Sequence, residues 1–156
     1  MALILLHVRR ALCAAALAGA AFFGGVTAAE AIEFRDALDN SPLDLSPVPG
    51  EQFTDAVKSF QKTGINPYRG DPAAIARGKE LYTANCQVCH LPDGSGDMGA
   101  SLIADTPIYP RVATDVGMFE VIHSGASGAM RSFAKRGMTQ DQMLAIIAYV
   151  RTLKKQ

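Results

Sequence analysis

Residues 78–90 read GKELYTANCQVCH, and the last five of them decide how the rest of the chain is understood. A helix-compatible run leads into Cys86 and Cys89, three apart, with His90 directly behind. A disulfide between the two cysteines would close a loop too small to stabilise much, and it gives His90 no role. A redox dithiol sits at the start of a helix beneath a strand-helix-strand pattern, where the helix dipole lowers the thiol pKa. Here the pair ends a helix and no strand pattern precedes it. A zinc site needs four ligands, commonly a second Cys or His pair, and the sequence downstream offers none.

The remaining reading is covalent haem attachment, the recognised meaning of Cys-x-x-Cys-His. Two thiols add to the haem vinyl groups as thioethers, and the next residue, His90, falls beneath the iron as proximal ligand. Chance alone would place this motif in a chain of this length with odds on the order of one in a thousand, so coincidence is set aside. The sixth ligand is chosen among Met98, Met118, Met130, Met138 and Met143. Met143 and Met118 fall on inner helix faces and read as core. Met98 follows His90 too closely to cross to the other haem face. Met130, in GAMRSF between two helices, is the first choice, then Met138, with Met98 or no methionine remaining. His123 reads as a helix-end residue. A His/Met pair raises the reduction potential and closes the iron to outside ligands, which suits electron transfer.

The totals agree with one exported domain. The chain has 156 residues, 49% apolar, with 15 basic and 15 acidic side chains. That balance gives no case for nucleic acid, whose binders gather basic excess on one face. Residues 1–29 carry Arg9 and Arg10, then an apolar run, then small residues around Thr27, Ala28 and Ala29. This is the shape of a cleaved secretory signal, with Cys13 removed along with it. Cleavage would leave Cys86 and Cys89 as the only cysteines, 13 basic residues against 15 acidic, a periplasmic location, and no stable membrane insertion.

Residues 30–70 read as an arm with a short helix. Pro42, Pro47, Pro49 and Gly50 break FRDALDNSPLDLSPVPGEQ, while Phe53, Val57 and Phe60 share one helical face that Gly64 ends. Residues 71–156 read as the haem domain. Asp71 caps a helix with Pro72 at its first position, presenting Ile75, Gly78, Leu81 and Tyr82 on one side. A section rich in Gly and Pro follows from Leu91 to Tyr109. Asp115–Gly125 predicts a short amphipathic helix. Thr139 and Gln142 form a capping box for the last helix, which ends among basic residues. The fold class is all-α.

GKELYTANCQVCH and GAMRSFAKRGMTQDQMLAIIAYVRTL together resemble a class I cytochrome c. The resemblance implies that fold around one haem c, with Gly78 and Tyr82 crossing Tyr149, and with Cys86, Cys89, His90 and Met130 as its haem residues. MRSF has Arg131 where that family usually has proline. FRDALDNSPLDL, AVKSFQKTGINPY, TPIYPRVATDVGMFEVIHSGASGAM and MTQDQML are similar to cytochrome c-L. That family implies an electron carrier, not an enzyme. It takes electrons from a PQQ-dependent methanol dehydrogenase and passes them to another cytochrome c or an oxidase. The short stretch after the last helix looks more like the partner of lanthanide-dependent enzymes. The alternatives are an open-site haem acting as peroxidase or gas sensor, and a cytochrome serving a different dehydrogenase. Tyr109 and Arg111 are expected to hold a haem propionate. Arg131, Lys135 and Arg136 are either a docking surface or an ordinary solvated loop.

Overall fold

The computed structural model describes residues 32–154, so the expected signal segment lies outside the described residues. Five α-helices are described: α1 Asp55–Thr63, α2 Pro72–Asn85, α3 Gln87–His90, α4 Asp115–Ser124 and α5 Gln140–Leu153. Two 3-10 turns, Pro110–Ala113 and Ala134–Arg136, bracket α4, and among the described residues there are no strands, only isolated bridges.

The frame is the crossing of α2 over α5. At Gly78 a Cβ would sit 2.0 Å from the Ala145 carbonyl oxygen and 3.1 Å from Tyr149 Cβ, so only glycine lets the two helices approach this closely. One turn later Tyr82 packs on Tyr149 with ring centroids 5.3 Å apart. This is the crossing the resemblance implies, except that Ala74 is buried where Ile75 was expected and Ile75 is only half-buried. Both helices start as predicted. The Asp71 carboxylate accepts from the Ala73 and Ala74 N–H groups, and Thr139 and Gln142 form a complete capping box.

Helix α4 departs from expectation. It is buried on nearly every side from Gly117 to His123, not amphipathic. The reason is the arm, whose Phe34 enters the core and joins Phe60 and Phe119 at centroid distances of 5.2–5.7 Å. Each such pair adds ~1 kcal/mol beyond its buried area. The arm is irregular, as its prolines require, but it is firmly tied. The Arg35 N–H donates to Glu120 at 2.7 Å and the Ala37 N–H to Ser124 Oγ at 3.0 Å. Buried Gln140 donates its side-chain amide to the Leu45 carbonyl and its backbone N–H to Glu51. Asn66, 1% exposed, donates to the Leu144 carbonyl at 2.8 Å. The polar groups thus locate each layer on the next.

Candidate haem site

Cys86 ends α2 and the single turn of α3 follows, so Cys86 and Cys89 stand three residues apart on one helical face. Both are free thiols, half-buried. Burial pushes the Cys86 thiol up to about 11, with the Arg136 charge opposing, so it is protonated at neutral pH. Among the described residues no group of three or more His, Cys, Asp or Glu is placed to hold a metal.

His90 is the most constrained residue of the site. Its Nδ1 lies 2.7 Å from the Ala100 carbonyl oxygen. A carbonyl can only accept, so Nδ1 carries the proton and Nε2 keeps its lone pair for an iron. The loop that returns to make this contact is pinned throughout. Gly96 N–H donates to the His90 carbonyl at 3.0 Å, and Asp97 and Gly99 N–H donate to Cys89 at 3.2 and 2.9 Å. Gly99 lies flat against the imidazole, where a Cβ would come within 2.7 Å of Cε1. At Leu91, directly after His90, the backbone takes φ 62° and ψ 159°. The Tyr82 hydroxyl holds that carbonyl at 2.7 Å. Burial, first among its causes, pushes the Tyr82 phenol up to about 12, so it remains the donor.

Met118 and Met143 are core, 4% and 0% exposed. Met98 is 75% exposed in the His90 loop and points into solvent. Met130 and Met138 both pack against the hydrophobic core. Met130 closes a tight turn in which its carbonyl accepts from the Ala126 N–H at 2.9 Å. Met138 lines a cleft of about 220 Å³ with Leu81, Asn85, Phe133 and Arg136. His123 is a buried residue of α4 packed on Phe119. Arg111 and Tyr109, the residues expected to hold a propionate, each have protein partners. The Arg111 guanidinium pairs with Glu120 at 3.1 Å and reaches the Asp36 carbonyl and Asn40 of the arm, while Tyr109 bonds Ser127.

The donor set fits a haem: two thiols on one face, an imidazole of fixed tautomer next to them, and two methionines packed against the core in the segment between α4 and α5. Sequence reasoning missed Ala100, Gly99 and Leu91. Ala100 contributes through its carbonyl and leaves no side-chain trace, whereas glycines at 94, 96 and 99 did signal a tight loop.

An all-α frame of crossed helices carrying Cys-x-x-Cys-His at the end of the first is that of a c-type cytochrome, a class of electron-transfer proteins and not of enzymes. The family model described as "Cytochrome C oxidase, cbb3-type, subunit III" matches residues 73–150. Cytochrome c-L of Methylorubrum extorquens is 36% identical over 123 residues, covering 78% of this chain and 62% of that protein, so the chain spans about six tenths of its length. The crystal structure of cytochrome cL from Methylophaga aminisulfidivorans superposes with a TM-score of 0.75 at 36% identity, covering 79% of this chain and 81% of that one. That of Hyphomicrobium denitrificans gives 0.74 at 35% identity, covering 80% and 74%. This chain belongs to the cytochrome c-L family and carries a covalently bound haem c.

Proposed function

We propose that this chain is a periplasmic mono-haem cytochrome that accepts electrons from a PQQ-dependent methanol dehydrogenase and passes them to a second cytochrome c or an oxidase. The observation that carries this reading is His90 held through Nδ1 on Ala100, its Nε2 lone pair free beside Cys86 and Cys89, in a chain related to cytochrome c-L.

The bound haem would supply one-electron exchange between ferric and ferrous iron. Cys86 and Cys89 would hold it as thioethers, each S–H adding across a vinyl group. The Ala100 carbonyl strengthens His90 as a ligand by accepting its Nδ1 proton's hydrogen bond. Met130 would be the distal ligand. Met138 is the second candidate because it lines the cleft with Phe133. Met118, Phe119 and Met143 are buried in the apolar core, and a haem lodged against that core would have its charged ferric form disfavoured, which tunes the potential. Export is supported by the basic, apolar and small-residue order of residues 1–29. No described helix is long and apolar enough to cross a membrane.

The test is a set of visible spectra of the purified full chain, wild type, Met130→Ala and Met138→Ala, followed by reduction with methanol and a PQQ methanol dehydrogenase. Loss of the methionine-to-ferric-iron band in Met130→Ala alone supports the ligand. Loss in Met138→Ala alone transfers the role to Met138. A high-spin spectrum in wild type, or no reduction by the dehydrogenase, sinks the ligand set or the donor respectively.

A further inference from the structure

Two residues other than glycine have positive φ among the described residues, Asn40 and Leu91. Asparagine tolerates that region, and Asn40 follows a turn of the arm. Leucine does not. With φ 62° and ψ 159°, Leu91 occupies a region that is nearly glycine's alone. Strain of this kind persists only where the neighbours impose it. Here both peptides that flank the residue are pinned. The Leu91 N–H donates to the Gln87 carbonyl at 2.9 Å, which holds the preceding peptide in α3. The Leu91 carbonyl accepts the Tyr82 hydroxyl at 2.7 Å and, more distantly, the Gly94 N–H at 3.2 Å.

The two restraints on that carbonyl differ in stiffness. Gly94 belongs to the loop itself, in which Gly94 and Gly96 both have positive φ, and glycines leave a backbone compliant. Tyr82 is 1% exposed and packs on Tyr149 just beyond the Gly78 crossing. Its own carbonyl accepts from the Cys86 N–H at 2.8 Å. One turn of α2 therefore carries both the first attachment cysteine and the anchor of Leu91. The conformation of Leu91 reverses the chain as it leaves α3. The Gly96, Asp97 and Gly99 N–H groups then reach the carbonyls of His90 and Cys89, and the Ala100 carbonyl arrives at His90 Nδ1. A leucine relaxed to negative φ would aim the loop elsewhere and loosen that last contact. A hydrogen bond at Nδ1 makes the imidazole a stronger donor, which favours the ferric state of a bound haem and lowers its potential.

We propose that Tyr82 is a positioning residue for His90. Its hydroxyl holds Leu91 in the strained conformation that keeps the Ala100 carbonyl on Nδ1, and so helps to set the reduction potential. The inference rests on the haem reading above and adds to it a residue from outside the attachment motif and its loop.

The test compares wild-type holoprotein with Tyr82→Phe, Leu91→Gly, the two combined, and Tyr149→Phe. Two quantities are followed, the reduction potential by voltammetry and, by NMR of the reduced protein, the solvent exchange of the His90 Nδ1–H. Tyr82→Phe is expected to raise the ferrous-to-ferric ratio at a fixed potential about threefold, a positive shift of ~30 mV. Exchange should quicken about tenfold, because the contact opens more often. Leu91→Gly should leave both quantities at their wild-type values, since glycine takes this conformation without strain. For the same reason the double variant should return to them. Tyr149→Phe, which removes the other hydroxyl of the ring pair, should not depart from them. A Tyr82→Phe protein that melts earlier but has an unchanged or lowered potential makes the hydroxyl merely structural and overturns the proposal. So does an equal shift in Tyr149→Phe, or a shift that persists in full in the double variant. If Tyr82→Phe takes up no haem, the double variant decides: a wild-type potential supports the tether, and no uptake overturns it. Wild type purified without a haem c spectrum overturns the haem reading itself, which none of the variant outcomes touches.

Discussion

Leu91 shows what the site costs at the scale of one residue. A leucine at φ 62° is strained, and such a position costs roughly 1–3 kcal/mol. It persists because Tyr82 anchors its carbonyl and because the chain must turn sharply after His90. Leu91→Gly is expected to raise the melting free energy by about 1 kcal/mol in thermal unfolding of the holoprotein. Tyr82→Phe should lower it by about 1 kcal/mol, since the Leu91 carbonyl loses its donor. Gly99→Ala works the other way. A Cβ within 2.7 Å of the His90 ring must push the imidazole off the Ala100 carbonyl. The expected outcome is destabilisation of ~2 kcal/mol, with a shifted reduction potential in voltammetry. An unchanged potential would mean that the ring does not depend on this loop for its position.

At the scale of elements, two helices carry opposite kinds of information. The α2/α5 crossing is steric, and Gly78→Ala should cost ~3 kcal/mol because a methyl group meets the Ala145 backbone. Urea unfolding would report it. Helix α4 is electrostatic. Burial alone would raise the Asp115 carboxyl, but hydrogen bonds from Arg69 and Arg151 overcome it and hold the group below its ordinary 3.8. Its contribution is therefore present above the ordinary carboxylate range and lost as pH falls through the lowered value. Asp115→Asn should destabilise by about 3 kcal/mol at neutral pH, because two arginines lose their shared partner, and should flatten acid unfolding below about pH 4. His123 titrates earlier. Burial lowers it from 6.5 against the pull of Asp44, Glu51 and Asp36, so the fold favours the neutral ring. Stability is full above the ordinary imidazole value and declines as pH drops from there to the lowered one. Melting temperatures of wild type and His123→Gln, compared between about pH 7 and pH 5, should diverge at the neutral end and converge at the acid end.

For the molecule as a whole, the arm is part of the core. Glu120, 6% exposed, accepts from the Arg35 backbone and from Arg111, which in turn grips Asp36 and Asn40. Replacing that carboxylate by an amide leaves one acceptor oxygen for two donors and turns an N–H donor toward the other, so the Arg35 N–H and the Arg111 guanidinium cannot both be satisfied. Glu120→Gln should destabilise by about 3 kcal/mol, and limited proteolysis should then cut within residues 32–50 before it cuts the helices. Equal cutting in wild type and variant would show that Phe34 alone holds the arm down.

What the sequence determined by itself was local or covalent in character. The attachment motif, the caps at Asp71 and Thr139 and the stop at Gly64 all act through spacing or through one residue's own conformational rules. The tertiary structure decided everything that depends on which surfaces meet. Helix α4 looked amphipathic because its second covering, the arm, lies some eighty residues away in sequence. The partners of Arg111, Glu120 and Asn40, are 9 and 71 residues away and were brought to it only by folding. The carbonyl of Ala100 became the partner of His90 only once the loop had closed, because a backbone oxygen has no sequence signature and its role is set by distance alone.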